Sequence, residues 1–469
     1  MQKIDVLIKG GQIVDASHVY EADIAIAGEQ IAAIGHNLEE RFSPESFDEV
    51  ELIDATGKII TPGFVDAHTH MDLDVGFTRA CDDWYTGTRA ALAGGTTTVC
   101  DHMAFGKPGC SLMSRVADYH KLADDKTLCD YKLHGVIAQV TDDILEEMKE
   151  LKDHGLSSTK IYMTYNDRVE DEAALKVLRR AKELGMIVCV HCENHAMVET
   201  LRQEYAEAGC TSAKYHPLSR PVQAEAEAVD RILRLASLAG DAPIYIVHLT
   251  TKDGLEVIKE ARRRGQKNIF AETCSQYLTL TDEVYEREDG LKFVMSPPLR
   301  KQEDVLALWE GVAKGDIQVV ATDHCPFSYG DQKQRGKDDF RMAPNGAPGV
   351  EERVLVTARG IQFGVIDWPK LVEVCATNPA RIFGLAPKKG YLQAGSDADL
   401  VIFNGDAHTL SIKDMKGACD YSCYEGIEVP FNIEQVWLRG ACVLRDGKLN
   451  EVKGFGRYIP TGPSPMIQA

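Results

Sequence analysis

The sequence predicts an α/β protein: a (β/α)8 TIM barrel carrying a small β-sandwich domain formed by the N- and C-terminal segments. Three observations predict it. Eight short apolar or β-branched runs occupy the middle of the chain, separated by helix-like stretches with three-to-four-residue apolar spacing. Strand–helix alternation implies parallel strands, and eight such units suit a closed barrel. The two flanks, 1–55 and 386–469, instead alternate apolar and polar residues between glycine turns.

The eight runs are, in order, "GFVDAHTH", "TTTVCDH", "YKLHGVIAQV", "TKIYMTY", "MIVCVHCEN", "PIYIVHLT", "NIFAETCSQY" and "IQVVATDHC". Helical stretches such as "DEAALKVLRRAKELG" and "GLEVIKEARRRG" lie between them, several ending on a basic residue and then glycine, the expected stop signal. These units place the barrel at 56–385. An open doubly wound sheet is the structural alternative, but no Gly-rich phosphate fingerprint follows the first strand. In the flanks, "KIDVLIKGGQIVD", "EADIAIAGEQIAAIG", "DADLVIFNG" and "IEQVWLRGACVLRDGKL" read as strands. Asp446-Gly447 is a hairpin signal. The final "GRYIPTGPSPMIQA" reads as a tail that either wanders or grips a neighbouring subunit.

The chain has 469 residues, 44% hydrophobic and 26% charged, enough for a large domain and a smaller one. Net charge is −20 with no basic stripe, which argues against a nucleic-acid partner. No apolar run reaches the roughly 18 residues of a membrane helix, and the N-terminal stretch lacks a signal-peptide core. A cytoplasmic location is expected. The 13 cysteines are scattered through apolar segments, the usage of a reducing compartment. Strand alternation points Cys189 and Cys192 to opposite faces, against a redox or zinc role for that CxxC.

Chemistry in such barrels sits at the C-terminal ends of the strands. His68 and His70 end the first strand and face the same way; the fifth reaches His191, the sixth His248 and the eighth Asp323. The fourth strand, "SSTKIYMTY", holds Lys160 in a core-like context, where lysine is buried only with a partner. Taken singly, each histidine is more often a hydrogen-bonded core residue, and Asp323 could simply cap a helix. Jointly, imidazoles and a carboxylate at one rim suit zinc and its neighbours. His102 and His324 are read as outer hydrogen-bonding groups rather than ligands.

The blocks "GFVDAHTHMD", "VHCEN", "YIVHL", "ATDHCPF", "ETCSQYL", "SPPLR", "PNGAPGVEER", "NPARIFGL" and "GSDADLVIF" resemble the amidohydrolase superfamily, in its hydantoinase/dihydropyrimidinase branch. The resemblance covers nearly the whole chain, and "CDDWYTGTRAALAGGTTTVCDHMAFG" looks most like the D-hydantoinases described as phenylhydantoinases. It implies two divalent metal ions, usually zinc, with manganese or cobalt possible. His68, His70 and Asp323 would hold one, and His191 and His248 the other. Lys160, as N6-carboxylysine formed with carbon dioxide, would bridge them. That modification answers the burial objection, since it turns a cation into an anion with an oxygen for each metal. Desolvation beside two cations favours the neutral amine it requires.

The same resemblance implies hydrolytic ring opening of a cyclic amide by water activated between metals about 3.5–4 Å apart. Asp323 would act as base and then as acid, and Tyr165, at the end of the Lys160 strand, as oxyanion donor. Ser296 and Asn345 would hold the ring imide through backbone groups, with "MDLDVGF" and Tyr162 lining the pocket for the exocyclic substituent. A homotetramer follows from the family. A dihydroorotase would carry arginine where Asp72 stands, and the Asn-Glu-Pro-Gly-Arg run of allantoinases is absent. Dihydropyrimidinase differs mainly in ring size and remains the alternative. Collapsin-response mediator proteins have lost metal ligands, whereas all six positions are filled here. Cys192, Ser275 and Thr250 depart from the usual pattern, and Cys192 beside His191 raises an expectation of oxidation sensitivity.

Overall fold

The computed structural model describes residues 3–42, 50–107 and 109–468; Met1, Gln2 and Ala469, which the sequence reading puts in the first flank and the tail, lie outside them. Alternating apolar residues at the N-terminus build β1 (Val6–Val14), antiparallel to β2 (Val19–Ala27), which in turn pairs with β3 (Gln30–Gly35). β4 (Glu51–Asp54) and β5 (Ile59–Pro62) run parallel to β1. The chain then enters the barrel at Gly63, where a Cβ would stand 2.3 Å from Thr97 Oγ1 and 2.9 Å from Asp399 Cβ. Only glycine fits that crossing. We propose Gly63 as the junction of the two domains, since β5 still belongs to the flanking sheet.

The barrel strands are β6 (Phe64–Thr69), β7 (Thr96–His102), β8 (Asp130–Val136), β9 (Ser158–Tyr162), β10 (Ile187–His191), β11 (Ile244–Ile246), β12 (Ile269–Cys274) and β13 (Val319–Ala321). They pair in sequence order, all parallel; six lie inside their predicted runs, and β8 and β9 each begin one residue earlier, at Asp130 and Ser158. A parallel bridge between Thr69 and His324 brings the last strand round to the first, with His70 N donating to His324 O at 2.9 Å. Arg353 staples that seam from inside: its buried guanidinium donates to the carbonyls of Val65 and Val320, each at 3.0 Å. The (β/α)8 barrel expected from the alternation is the fold.

After the barrel come β14 (Leu400–Asn404), the short pair β15 (His408–Thr409) and β16 (Glu428–Val429), then β17 (Asn432–Leu438), β18 (Ala441–Arg445) and β19 (Lys448–Leu449). The expected β-sandwich is one hydrogen-bonded sheet from both termini, ordered β19-β18-β17-β14-β5-β1-β2-β3 with β4 beside β1. Ile8, Ile24, Ile60, Leu400 and Trp437 share one buried cluster within it. Asp446 (φ 49°) and Gly447 (φ 72°) make the tight turn between β18 and β19, as the dipeptide predicts.

Sheet and barrel are joined by a buried ionic cluster. Lys389 Nζ lies 2.5 Å from Asp130, 2.9 Å from Asp397 and 2.8 Å from Asp399, and Arg439 pairs with Asp130. The C-terminal tail does not wander but lies on its own barrel. Ile459 N donates to Tyr131 O at 2.8 Å, Thr461 N to Gly155 O at 2.8 Å, and Gln468 N to Asn268 Oδ1 at 2.7 Å. Backbone groups at the barrel's N-terminal end satisfy it, a pairing that no local sequence signal announces.

Candidate metal centre

The side chains predicted at the strand ends converge at the C-terminal rim. His68 Nε2 and His70 Nε2 lie 3.2 Å apart, and Asp323 Oδ1 is 3.1 Å from the first and 3.0 Å from the second. Three donor atoms this close suit one cation about 2.0–2.2 Å from each. Their protonation suits it too. Burial holds His68 far below the ordinary imidazole range, so it stays neutral. Burial would raise the Asp323 carboxyl, but His68, His70 and Lys160 outweigh it and hold it at about 2.

His68 is fixed from behind by a residue that the sequence reading left without a role. Glu272 Oε1 sits 2.5 Å from His68 Nδ1 and accepts from His248 N at 3.0 Å, while its Oε2 accepts from Tyr245 Oη at 2.7 Å. A carboxylate on Nδ1 leaves the Nε2 lone pair for a metal, the usual orienting pair behind a ligating histidine. Its signal was present in the chain: an acid inside the apolar strand "NIFAETC" is as anomalous as Lys160 in its own strand.

His191 and His248 form a second group, with ring centroids 4.5 Å apart, and His248 lies 5.5 Å from His68. Glu193 Oε2 is 2.7 Å from His191 Nε2, which leaves Nδ1 as the free donor atom. Lys160 is 1% exposed, and among the described residues its ammonium makes no hydrogen bond or ion pair. Burial lowers its pKa, favouring the neutral amine. The donor set therefore fits two divalent ions with an anionic group between them. It is His68, His70 and the Asp323 carboxylate on one side, His191 and His248 on the other, and the buried Lys160 amine beside them.

Three site residues have left-handed backbones: Tyr165 (φ 72°), His248 (φ 38°) and Asp323 (φ 54°). Such strain costs about 1–3 kcal/mol each and clusters where function imposes it. It also corrects one expectation. Tyr165 is not at the end of the Lys160 strand, since β9 stops at Tyr162 and the chain turns before Tyr165. The turn brings its ring to 5.3 Å from that of His191. His324, read as an outer group, donates from Nε2 to Asp82 Oδ2 at 3.2 Å. His102 packs edge-on against His68, centroids 4.3 Å apart.

Asn345 Oδ1 is buried with no hydrogen-bond partner among the described residues, and the buried Ser296 Oγ lies beside Tyr165. A second missed residue, Lys333, pins their loops. Its buried Nζ donates to Val294 O at 2.6 Å, Pro344 O at 2.8 Å and Gly346 O at 2.6 Å. His216 supports the same region, its Nε2 donating to Met295 O at 2.7 Å. Burial first, and then Arg220, lower the His216 pKa to about 3. An unfolded histidine titrates near 6.5, so the unfolded chain takes up this proton first as pH falls. Stability attributable to His216 should be complete above about pH 6.5. It should then fall by about 1.4 kcal/mol per pH unit down to about pH 3, and denaturant titrations of wild type and His216→Asn at pH 7 and 5 measure the difference. Cys192 is 2% exposed, and burial pushes its thiol well up, so the expected oxidation sensitivity has no reactive thiolate to support it.

The amidohydrolase family model matches residues 59–443. The D-phenylhydantoinase of Escherichia coli O9:H4 (strain HS) is 43% identical over 460 residues, 98% of each chain. Among solved structures, the D-hydantoinase from Bacillus sp. AR9 superposes with a TM-score of 0.94 at 39% identity, covering 98% of this chain and 99% of that one. The dihydropyrimidinase from Brevibacillus agri NCHU1002 gives a TM-score of 0.93 at 38% identity, covering 97% and 98%. With a converging site, a barrel matched along its whole length and relatives at this identity, the chain belongs to the amidohydrolase family.

Proposed function

We propose that this chain is a D-hydantoinase-type enzyme, a binuclear metal-dependent cyclic amidohydrolase that opens 5-monosubstituted aryl or alkyl hydantoins to N-carbamoyl amino acids. One observation carries the reading: a buried Lys160 that makes no hydrogen bond or ion pair among the described residues and lies beside His68, His191, His248 and Asp323. The similarity to a D-phenylhydantoinase supports the substrate class. His68, His70 and Asp323 would hold one ion, His191 and His248 the other, with zinc favoured and manganese or cobalt as substitutes. The Lys160 amine, its pKa lowered by burial, would add to carbon dioxide with release of a proton, and the resulting carbamate would help hold both ions. Bound ions supply acidified water and a polarised carbonyl.

The chain's own groups do the rest. Asp323 Oδ2 makes no hydrogen bond among the described residues, and its side chain is 15% open toward the mouth. It takes a proton as the ring carbonyl is attacked and returns it to the leaving ring nitrogen. Tyr165 Oη donates to the developing oxyanion. The backbone beside Ser296 and Asn345 holds the imide, and Lys333 fixes those loops. Lys333→Met should raise KM about tenfold, one step of roughly 1.4 kcal/mol, with a smaller change in kcat. Steady-state kinetics check it, and an unchanged KM would remove Lys333 from this role.

The reading extends to a cytoplasmic homotetramer acting on a small molecule. Net charge of −20 supports the lack of a nucleic-acid partner. No helix among the described residues is long and apolar enough to cross a membrane. Dihydropyrimidinase is the second reading, favoured by the likeness to the Brevibacillus agri structure. Ring-opening kinetics on D- and L-phenylhydantoin, hydantoin and dihydrouracil, measured side by side, separate the two. A strong preference for dihydrouracil would overturn the hydantoinase assignment and leave the mechanism standing. Purified protein holding no metal after metal-replete expression would sink both.

A further inference from the structure

Behind the second pair of imidazoles lies a buried polar framework that the proposed reaction does not use. His191 and His248 each stand three residues before the N-cap of the next helix, Asn194 and Thr251 respectively. One short stretch, "RPVQAE" at 220–225, reaches both. On the first side, Arg220, 2% exposed, places Nη1 2.5 Å from Glu193 Oε2, and that same oxygen is 2.7 Å from His191 Nε2. Asn194 N donates to Ala224 O at 2.8 Å, tying the His191 loop to the stretch a second time.

On the other side, Glu225 accepts from Thr250 N at 3.0 Å, Thr251 N at 3.0 Å, Thr251 Oγ1 at 2.8 Å and Thr250 Oγ1 at 2.5 Å. Those donors follow His248, whose left-handed backbone needs such restraint. Arg300 closes the frame: Nε donates to Thr250 Oγ1 at 3.0 Å, and the guanidinium also donates to Arg220 O. Among the described residues the stretch makes no hydrogen bond to His68, His70 or Asp323.

We infer that Arg220 is a positioning residue selective for the second metal position: through Glu193 it fixes the tautomer and direction of His191, so losing it costs one ion and not both. The inference rests on the two-ion reading above. The physical reason is geometry: one oxygen, Glu193 Oε2, meets both Arg220 Nη1 and His191 Nε2. Glu193 is buried and committed to Arg220, so it accepts the His191 Nε2 proton and leaves the Nδ1 lone pair for an ion. Without the guanidinium, no other side chain among the described residues anchors Glu193 Oε2 against His191 Nε2, so the imidazole loses the contact that directs its Nδ1 toward an ion. Arg220 also stands over the Tyr165 ring, 5.6 Å from its centroid, so the same loss loosens the proposed oxyanion donor.

The test uses full-length protein stripped with a chelator and titrated with zinc alone, bound metal being counted by mass spectrometry and folding followed by circular dichroism. Wild type should take up about two ions per chain. Arg220→Met should remain folded and keep one, the second binding about 10–100-fold more weakly. Guanidinium ion should restore part of the second site in Arg220→Ala. Should the arginine variants fail to fold, the near-isosteric Glu193→Gln should show the same loss of one ion. Two ions bound with wild-type affinity by folded Arg220→Met, or loss of both ions together, would overturn the inference while leaving the two-ion reading intact. Wild type that takes up fewer than two ions would overturn both.

Discussion

Replacing Lys160 by alanine should remove bound metal and ring-opening activity together. The hydrogen-bond partners of metal ligands are already worth about 10–100-fold, so a bridging ligand should cost more than about 100-fold in kcat/KM. The physical case is the placement of the side chain. A lysine is 1% exposed, makes no hydrogen bond or ion pair among the described residues, and lies beside His68 and His248, which burial holds far below the ordinary imidazole range. A cation left there would be costly, whereas a bridging anion would serve two cations. The readout is paired: metal content and activity on the same preparation, with and without formate, acetate or propionate. A short carboxylic acid offers the two oxygens that the shortened side chain lacks, so it should restore part of both. A fully active Lys160→Ala enzyme would put the site elsewhere.

The second large effect is on stability. Lys389→Met should destabilise the fold by about 3–5 kcal/mol, the cost of breaking a buried ion pair by removing one partner. Among the described residues, the ion pairs left to Asp130, Asp397 and Asp399 would be those with Arg439 and the half-exposed Lys388, which reaches Asp397 Oδ1 at 2.9 Å. The three carboxylates come from the first residue of β8 and from the segment leading into β14, so the failure should begin where sheet and barrel meet. Lys149→Ala is the contrast. Lys149 pairs with Asp153 at 2.6 Å on an exposed helix face, where water screens the pair, and its loss should leave stability nearly unchanged. Denaturant midpoints of the two variants check the pair, and equal midpoints would refute the buried cluster's role.

Much of this was legible along the chain because the signals are local. Period-two and period-3.6 patterns give the strands and helices, and Asp446-Gly447 carries its own turn geometry. His68 and His70 share a strand face through their spacing alone. Lys160 was legible as an anomaly, a charge where the pattern demands an apolar residue.

Other features needed the folded chain. Glu272 meets His68 across 204 positions, and Arg220 meets Glu193 across 27, separations over which no periodicity carries information. Lys333 became a clamp only because three carbonyls from two loops converge on it. The tail's place on its own barrel came from unpaired backbone groups at the barrel's end, which no side chain advertises. The sequence by itself determined the barrel, the terminal sheet and which residue types stand at the rim, because these follow from patterns a few residues long. Only the tertiary structure decided which nitrogen of His68 and of His191 faces the centre and what holds it there. Tautomer and orientation are set by hydrogen-bond partners that the barrel gathers from distant strands.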